Sequence, residues 1–304
     1  MPAPQTTSDE LLTVRDWLRY AVSRFNAEPL VYGHGTANAL DEAAYLILHT
    51  LHLPVDELDP WLEARLLASE RQALREIIEV RIKTRKPAPY LTHEAWIGGH
   101  SFYVDERVIV PRSYIGEILT QQLGATAGEW HLGHNPGSVG AILDLCTGSG
   151  CLAILAALAF PQAVVEASDI SLDALAVAAR NVADYRLEGR IALAQSDLFA
   201  AHAGRYDLIL ANPPYVAAEA LAAFPPEYAA EPRIAHAGGV DGLDAVRRIL
   251  AEAGAHLSPT GTLLVEIGAL RERLEAQFPS LPFLWLDTAE SEAQVFALAA
   301  TALP

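Results

Sequence analysis

"AILDLCTGSGCLAILAALA", residues 141–159, decides the architecture. Residues 141–145 read as a buried strand, and residues 150–159 read as a helix. Gly148-Ser149-Gly150 joins them. A glycine-rich turn from strand to helix lets the backbone approach a ligand closely, at the carboxyl edge where open sheets bind ligands. Residues 148–153 also satisfy G-x-G-x-x-A, a dinucleotide fingerprint that is weak when it stands alone.

Downstream the alternation continues. Strand-like runs fall at 163–168, 191–195, 206–211, 261–267, 282–286 and 294–299, with helical runs at 172–184, 242–256 and 269–278. Such alternation predicts an α/β fold, with a mostly parallel sheet covered on both faces.

Upstream, the first ~86 residues read as helical. Thr7-Ser8-Asp9-Glu10 fits a capping box, followed at helical spacing by Leu11, Val14, Leu18, Ala21 and Phe25. A second helix is expected from Asn38, a further segment near Trp61, and another helix from Ser69 that Pro87 and Pro89 stop. Residues 101–104 and 107–111, around the polar pair Asp105-Glu106, suggest a β-hairpin connector. Residues 124–140 look like an exposed loop. The expected organisation is therefore a helical substrate-recognition domain over 1–88, a hairpin linker over 89–113 and an α/β domain over 114–304.

Composition narrows the function classes. Hydrophobic residues make up 51% of 304, enough for a substantial core. A formal net charge of −17 disfavours broad attachment to nucleic acid, which depends on phosphate neutralisation, and suits a basic macromolecular partner. Arg81-Ile82-Lys83-Thr84-Arg85-Lys86, which holds both lysines, reads first as a helix C-terminus whose cations suit the macrodipole. The other reading is a contact with RNA or an acidic partner. Two cysteines, Cys146 and Cys151, exclude a disulfide scaffold and make a poor metal site, so no metal is expected. The N-terminus has neither a basic n-region nor an apolar h-region, and no apolar run reaches membrane-span length. A soluble, cytoplasmic protein is the expectation.

Acids end or closely follow three strands. Asp169, about 20 residues beyond the glycine loop, is placed to accept from ribose hydroxyls. Asp144, four residues before Gly148, is placed for the ammonium of a methionine moiety, and Asp197 for an adenine amine. Singly, each acid reads equally as a cap or turn residue. Together, in register with three strands, they suit a ligand with an ammonium and a sulfonium and no phosphate. The strand at 206–211 then stops at Asn212-Pro213-Pro214-Tyr215. Asn-Pro and Pro-Pro are ordinary turn dipeptides. Beside a nucleoside loop, however, the Asn212 carbonyl and the Pro213 carbonyl are two acceptors, Pro214 fixes the backbone, and Tyr215 offers a flat face. Such a clamp grips an –NH2 on a planar carbon, either a carboxamide or an adenine amine.

These motifs resemble the class I, seven-stranded methyltransferases that act on glutamine side-chain amides. Residues 31–36 (Val-Tyr-Gly-His-Gly-Thr), residues 99–113, Glu231-Pro232 and Asp241-Gly242-Leu243 look like the branch that methylates large-subunit ribosomal protein L-three. The sister branch, acting on peptide release factors, has Pro-Arg-Pro and an acidic pair where this chain has Pro111-Arg112-Ser113-Tyr114. The resemblance implies S-adenosylmethionine as cofactor and a seventh strand antiparallel to the rest. It implies that Cys146, Thr147, Gly148, Ser149, Gly150, Asp169, Asp197 and Asn212 contact the cofactor. It further implies that Asn212, Pro213, Pro214 and Tyr215 hold the target glutamine. Leu198 also belongs at the cofactor, but stands where release-factor enzymes often carry an aromatic, which turns attention to Phe199 for adenine stacking.

The competing readings are glutamine methylation of release factors, N6-adenine methylation of nucleic acid, a nicotinamide oxidoreductase, and a ribosome-assembly factor without catalysis. An oxidoreductase is disfavoured by the absence of any lysine beyond Lys86.

Overall fold

The computed structural model describes residues 10–122, 138–289 and 291–304. Residues 7–9 of the expected capping box and most of the expected loop at 124–140 lie outside that set. The chain forms two compact units, Met1–Glu94 with Phe224–Ala230, and Ala95–Ala223 with Glu231–Pro304.

The first unit is helical. In α1 (Val14–Asn26) the cap is Thr13, whose hydroxyl accepts from the Asp16 amide while the Asp16 carboxylate accepts from the Thr13 amide. This reciprocal pairing satisfies two of the amides that a helix start leaves unbonded. Val14, Trp17, Ala21 and Phe25 recur on one face of α1 and are buried against α2 (Ala39–Thr50) and α3 (Ala68–Thr84), which the short α4 (Ala88–Thr92) follows. Asn38 caps α2 through the amides of Leu40 and Asp41, as its sequence position suggests. Of the basic run that ends α3, Arg81 is fully buried and donates to Glu42 at 2.7 Å. Glu227, from the returning segment Phe224–Ala230, accepts from Arg85 at 2.5 and 2.8 Å, from Arg81 at 3.4 Å and from the Val31 amide at 3.1 Å. Both arginines are thus bound inside the unit, and exposed Lys83 lies 3.5 Å from Glu79.

In the second unit the hairpin is displaced from its expected position. It is formed by β1 (Glu94–Ile97) and β2 (His100–Tyr103), with Gly98 and Gly99 at the turn at φ +54° and +79°. A type I′ hairpin turn needs positive φ at both central positions, which this glycine pair supplies and Asp105-Glu106 does not. Asp105 instead accepts from the Arg107 amide at 3.0 Å and its guanidinium at 2.6 Å, so residues 107–111 are not a strand.

The main sheet has the order β5-β4-β3-β6-β7-β9-β8, with β3 (Ala141–Leu145), β4 (Val164–Asp169), β5 (Ile191–Gln195), β6 (Tyr206–Ala211), β7 (Leu257–Glu266), β8 (Leu284–Leu286) and β9 (Val295–Ala299). Strands β3 to β7 pair in parallel, and β9 runs antiparallel to both β7 and β8. This is the reversed strand that the family resemblance implies. Alternate residues of each strand face opposite cores. Ile142, Leu208 and Leu264 meet α5 (Tyr114–Gln122), α6 (Cys151–Ala159) and α7 (Leu172–Asp184). Leu143, Ile209 and Leu263 meet α10 (Asp244–His256) and α11 (Arg271–Gln277), after two short helices, α8 (Ala218–Ala222) and α9 (Pro226–Ala229). Both faces are covered, as expected for a parallel sheet.

Candidate active site

Sheet register builds the site. Leu145 pairs with Ala211, and Ala211 pairs with Val265. The next residues, Cys146, Asn212 and Glu266, therefore leave three adjacent strands at one carboxyl edge. Asp169 closes β4 opposite Gln195, and Asp197 follows two residues later in the chain. Residues far apart in sequence thus converge where an open sheet binds ligands.

The glycine loop is held from below. Asp144 is buried; its Oδ2 accepts from the Thr147 hydroxyl at 2.5 Å and the Ala153 amide at 3.1 Å. Its Oδ1 is buried without a hydrogen-bond partner among the described residues. Burial pushes this carboxyl up to about 7. Asp169 takes the Gly148 amide at 3.0 Å and the Ser171 amide at 2.9 Å, which fixes the carboxylate beside the loop. Cys146 adopts φ +57°, a left-handed conformation that costs a non-glycine residue about 1 kcal/mol or more and marks a constrained turn. Burial and three neighbouring aspartates push its thiol far up, and burial takes Cys151 up to about 12, so both are inert. Asn181 on α7 adds support that the sequence did not single out. Its amide donates to the Ser149 carbonyl at 2.8 Å, while the same side chain pairs with both backbone groups of Tyr103 on the hairpin.

A cavity of about 340 Å³ opens over this edge, within the range of small-molecule sites. Cys146, Thr147, Gly148, Ser149, Asp169, Asp197, Leu198, Asn212 and Pro214 line it, along with Arg112, Ser113 and Arg248. Asp144, Gly150, Pro213 and Tyr215 are not among the residues that line it. Gly150, at φ +80°, packs so close to α7 that a Cβ would stand 3.1 Å from the Ala178 methyl. Asp197 accepts from Arg248 at 2.8 Å, and Leu198 holds φ +52°. Phe199 turns away from the cavity. It stacks on His256 in the core, with centroids 4.5 Å apart and planes 12° from parallel, which corrects the idea that it stacks on an adenine.

Past Pro214, Tyr215 is wedged in place. A Cβ at Gly268 would stand 2.8 Å from its ring, and one at Gly242 would stand 2.5 Å from its carbonyl oxygen. Burial first, then the nearby charge of Glu266, raise the Tyr215 phenol, so it stays neutral. The following Val216 amide donates to the His236 carbonyl at 2.8 Å, and Val216 accepts from the Gly238 amide at 2.9 Å, which returns the chain to the cavity wall. Two buried glutamates stand near Tyr215: Glu231, in a stretch that the family resemblance picks out, and Glu266, which the sequence did not single out. Glu231 accepts both Arg112 nitrogens and the Val110 amide. Glu266 accepts from the Ser113 hydroxyl at 2.6 Å and the Tyr114 amide at 2.9 Å.

The donor set suits a cofactor carrying a nucleoside and an ammonium. Asp144 Oδ1 is a buried carboxyl oxygen without a partner among the described residues, and ionising that carboxyl is costly until a cation approaches. Gly148 has open space where a Cβ would stand, so the loop presents backbone to the cavity. The acids at the strand ends favour hydroxyl and amine donors over a pyrophosphate.

Similarity to known proteins agrees with this geometry. Residues 130–224 match the family described as methyltransferase small domain. A Bordetella pertussis protein named ribosomal protein uL3 glutamine methyltransferase is 56% identical over 290 residues, covering 95% of each chain. Proteins of the same name from Bradyrhizobium diazoefficiens and Neisseria gonorrhoeae are 53% and 54% identical. They cover 97% and 96% of this chain, and 92% and 95% of their own.

Proposed function

The chain belongs to the ribosomal protein uL3 glutamine methyltransferases, and from that premise we propose that it methylates the side-chain amide nitrogen of a glutamine in uL3, the large-subunit protein L-three, using S-adenosylmethionine. When bound, that cofactor supplies a methyl group activated on a sulfonium sulfur. Asp169 accepts from the ribose hydroxyls, Asp197 from the adenine amine, and Asp144 gives the ammonium an opposite charge beneath the loop. Residues 146–150 supply backbone contacts, and Leu198 supplies an apolar wall.

The amide needs help because its nitrogen lone pair is delocalised into the carbonyl. Asn212 Oδ1 and the Pro213 carbonyl accept its two hydrogens, which raises electron density on nitrogen and fixes its direction. Pro214 holds those acceptors rigid, and Tyr215 keeps the amide plane flat. This is positioning plus electrostatic stabilisation, with no covalent enzyme intermediate.

The observation that carries the reading is the β3–β6 register, which brings the glycine loop and Asn212 to one cavity. We assign recognition of uL3 to the helical unit. The reaction takes place in the cytoplasm, where an acidic chain draws a basic ribosomal protein by its long-range field. The test is to incubate the protein with methyl-labelled S-adenosylmethionine, total ribosomal proteins and release factors. Label on uL3 alone supports the reading; label on a release factor replaces it.

A further inference from the structure

The sheet edge that presents Asn212 also presents a buried acid that the clamp does not use. Ala211 is level with Val265, so Glu266 emerges beside Asn212. Glu266 is 1% exposed, and only its Oε2 is engaged among the described residues. Its partners there are the Ser113 hydroxyl at 2.6 Å and the amides of Tyr114 and Ile115 at the start of α5. Ser113 itself lines the cavity shared with Asn212 and Pro214. Its hydroxyl proton is committed to Glu266, so its lone pairs remain to accept a proton from the cavity side.

We propose that Ser113 and Glu266 form a relay that removes the proton from the methylated amide nitrogen. The inference rests on the amide-methyltransferase reading above. Once the nitrogen has gained its methyl group it carries two protons and a positive charge. One N–H leaves its clamp acceptor as the charge develops, its bond breaks toward Ser113 Oγ, and the Ser113 hydroxyl proton passes to Glu266 Oε2. The products are a neutral N-methyl amide, an unchanged serine and a carboxylic acid, so charge and protons balance. The other carboxylates that line the cavity are engaged elsewhere: Asp169 takes the amides of Gly148 and Ser171, Asp197 accepts from Arg248 at 2.8 Å, and Asp244 accepts from Arg247 at 2.9 Å. Arg112, with both guanidinium nitrogens on Glu231, is a cation; Tyr215 and Tyr114 are phenols; and His236 lies beside Glu231, 2.9 Å away.

Burial pushes Glu266 up to about 7, while its hydrogen-bond donors and Arg112 pull the other way. A base poised there is about half ionised at neutral pH and basic enough to hold a proton. Glu266 also caps α5, a structural role whose pH dependence would appear in stability and not in turnover.

The experiment uses the full-length enzyme with uL3. Wild-type turnover should fall as pH drops through about 7. Glu266→Gln keeps an oxygen for the α5 amides; it should lose about 100-fold in turnover at pH 8 and show a flat profile, with cofactor affinity by calorimetry unchanged. Ser113→Ala should share that loss, and Ser113→Thr should restore it. Two protonated carboxyls, Glu266 and Asp144, should titrate near 7 in the infrared spectrum of the substrate-free protein, and Glu266→Gln should remove one of them, a readout independent of activity. Wild-type turnover and pH dependence in both Glu266→Gln and Ser113→Ala overturn the relay while leaving the methyltransferase reading intact. A wild-type enzyme that does not methylate uL3 overturns that reading first.

Discussion

Arg112 meets Glu231 through two parallel hydrogen bonds, Nη1 to Oε1 at 2.6 Å and Nη2 to Oε2 at 2.7 Å, and the carboxylate is fully buried. The pair joins residues 119 positions apart at the wall of the cavity. Breaking one side of such a pair leaves an uncompensated charge, at a cost of about 3–5 kcal/mol. Glu231→Ala should therefore lower the thermal unfolding midpoint sharply. A midpoint within a degree or so of wild type, by calorimetry, removes the pair from the account of stability.

Asn212→Ala deletes one acceptor of the clamp and leaves the glycine loop intact. Cofactor affinity should hold while turnover on uL3 falls about 100-fold or more. Turnover within a few-fold of wild type would show that the side chain does not activate the amide.

Asp169→Ala releases two backbone amides and removes the proposed ribose acceptor. Affinity for S-adenosylmethionine should drop before any change in the response to uL3 concentration. Unchanged affinity in titration calorimetry takes Asp169 out of the nucleoside site.

Asp144 gives a pH dependence whose sign follows from burial. Its carboxyl is pushed from the ordinary 3.8 to about 7, so the folded chain holds a proton that the unfolded chain releases in that window. Stability from this group is greatest below about 4 and is lost as pH rises to about 7, by up to about 1.4 kcal/mol per pH unit. Asp144→Asn should flatten the fall in cofactor-free stability between pH 5 and pH 7. Identical slopes by denaturant titration contradict the assignment.

Gly268→Ala tests the wedge behind Tyr215. Its Cβ would stand 2.8 Å from the ring at a backbone φ of +54°. The ring must shift, so KM for uL3 should rise with cofactor affinity preserved. A variant with wild-type KM shows that the Tyr215 plane does not position the amide.

How much of this was legible follows from the range of each interaction. The strand at 141–145, the Gly148-Ser149-Gly150 turn and the break at Asn212 are local signals, and they locate the sheet edge. The hairpin was misplaced because Asp105-Glu106 reads as a turn, whereas positive φ at Gly98 and Gly99 makes one. Arg81 reads as a helix-end cation until Glu42 and Glu227, 39 and 146 residues away, are seen to enclose it. The Ser113–Glu266 contact spans 153 residues, and no spacing rule reaches that far. The same holds for Glu227 and Glu231, four residues apart, which bind cations of different units. Deleting residues 1–86 would therefore strip Glu227 of Arg81 and Arg85 as well as remove the helical unit.

The central claim is that this chain methylates a glutamine amide of uL3 through the Asn212 clamp. Its most direct test is mass spectrometry of uL3 from cells that carry the wild-type gene, a deletion, or Asn212→Ala. The account predicts one added methyl group on the side-chain amide of a single glutamine in wild type, absent in the deletion and nearly absent in Asn212→Ala. An unmethylated uL3 in wild type, or a methyl group that persists in the deletion, contradicts it.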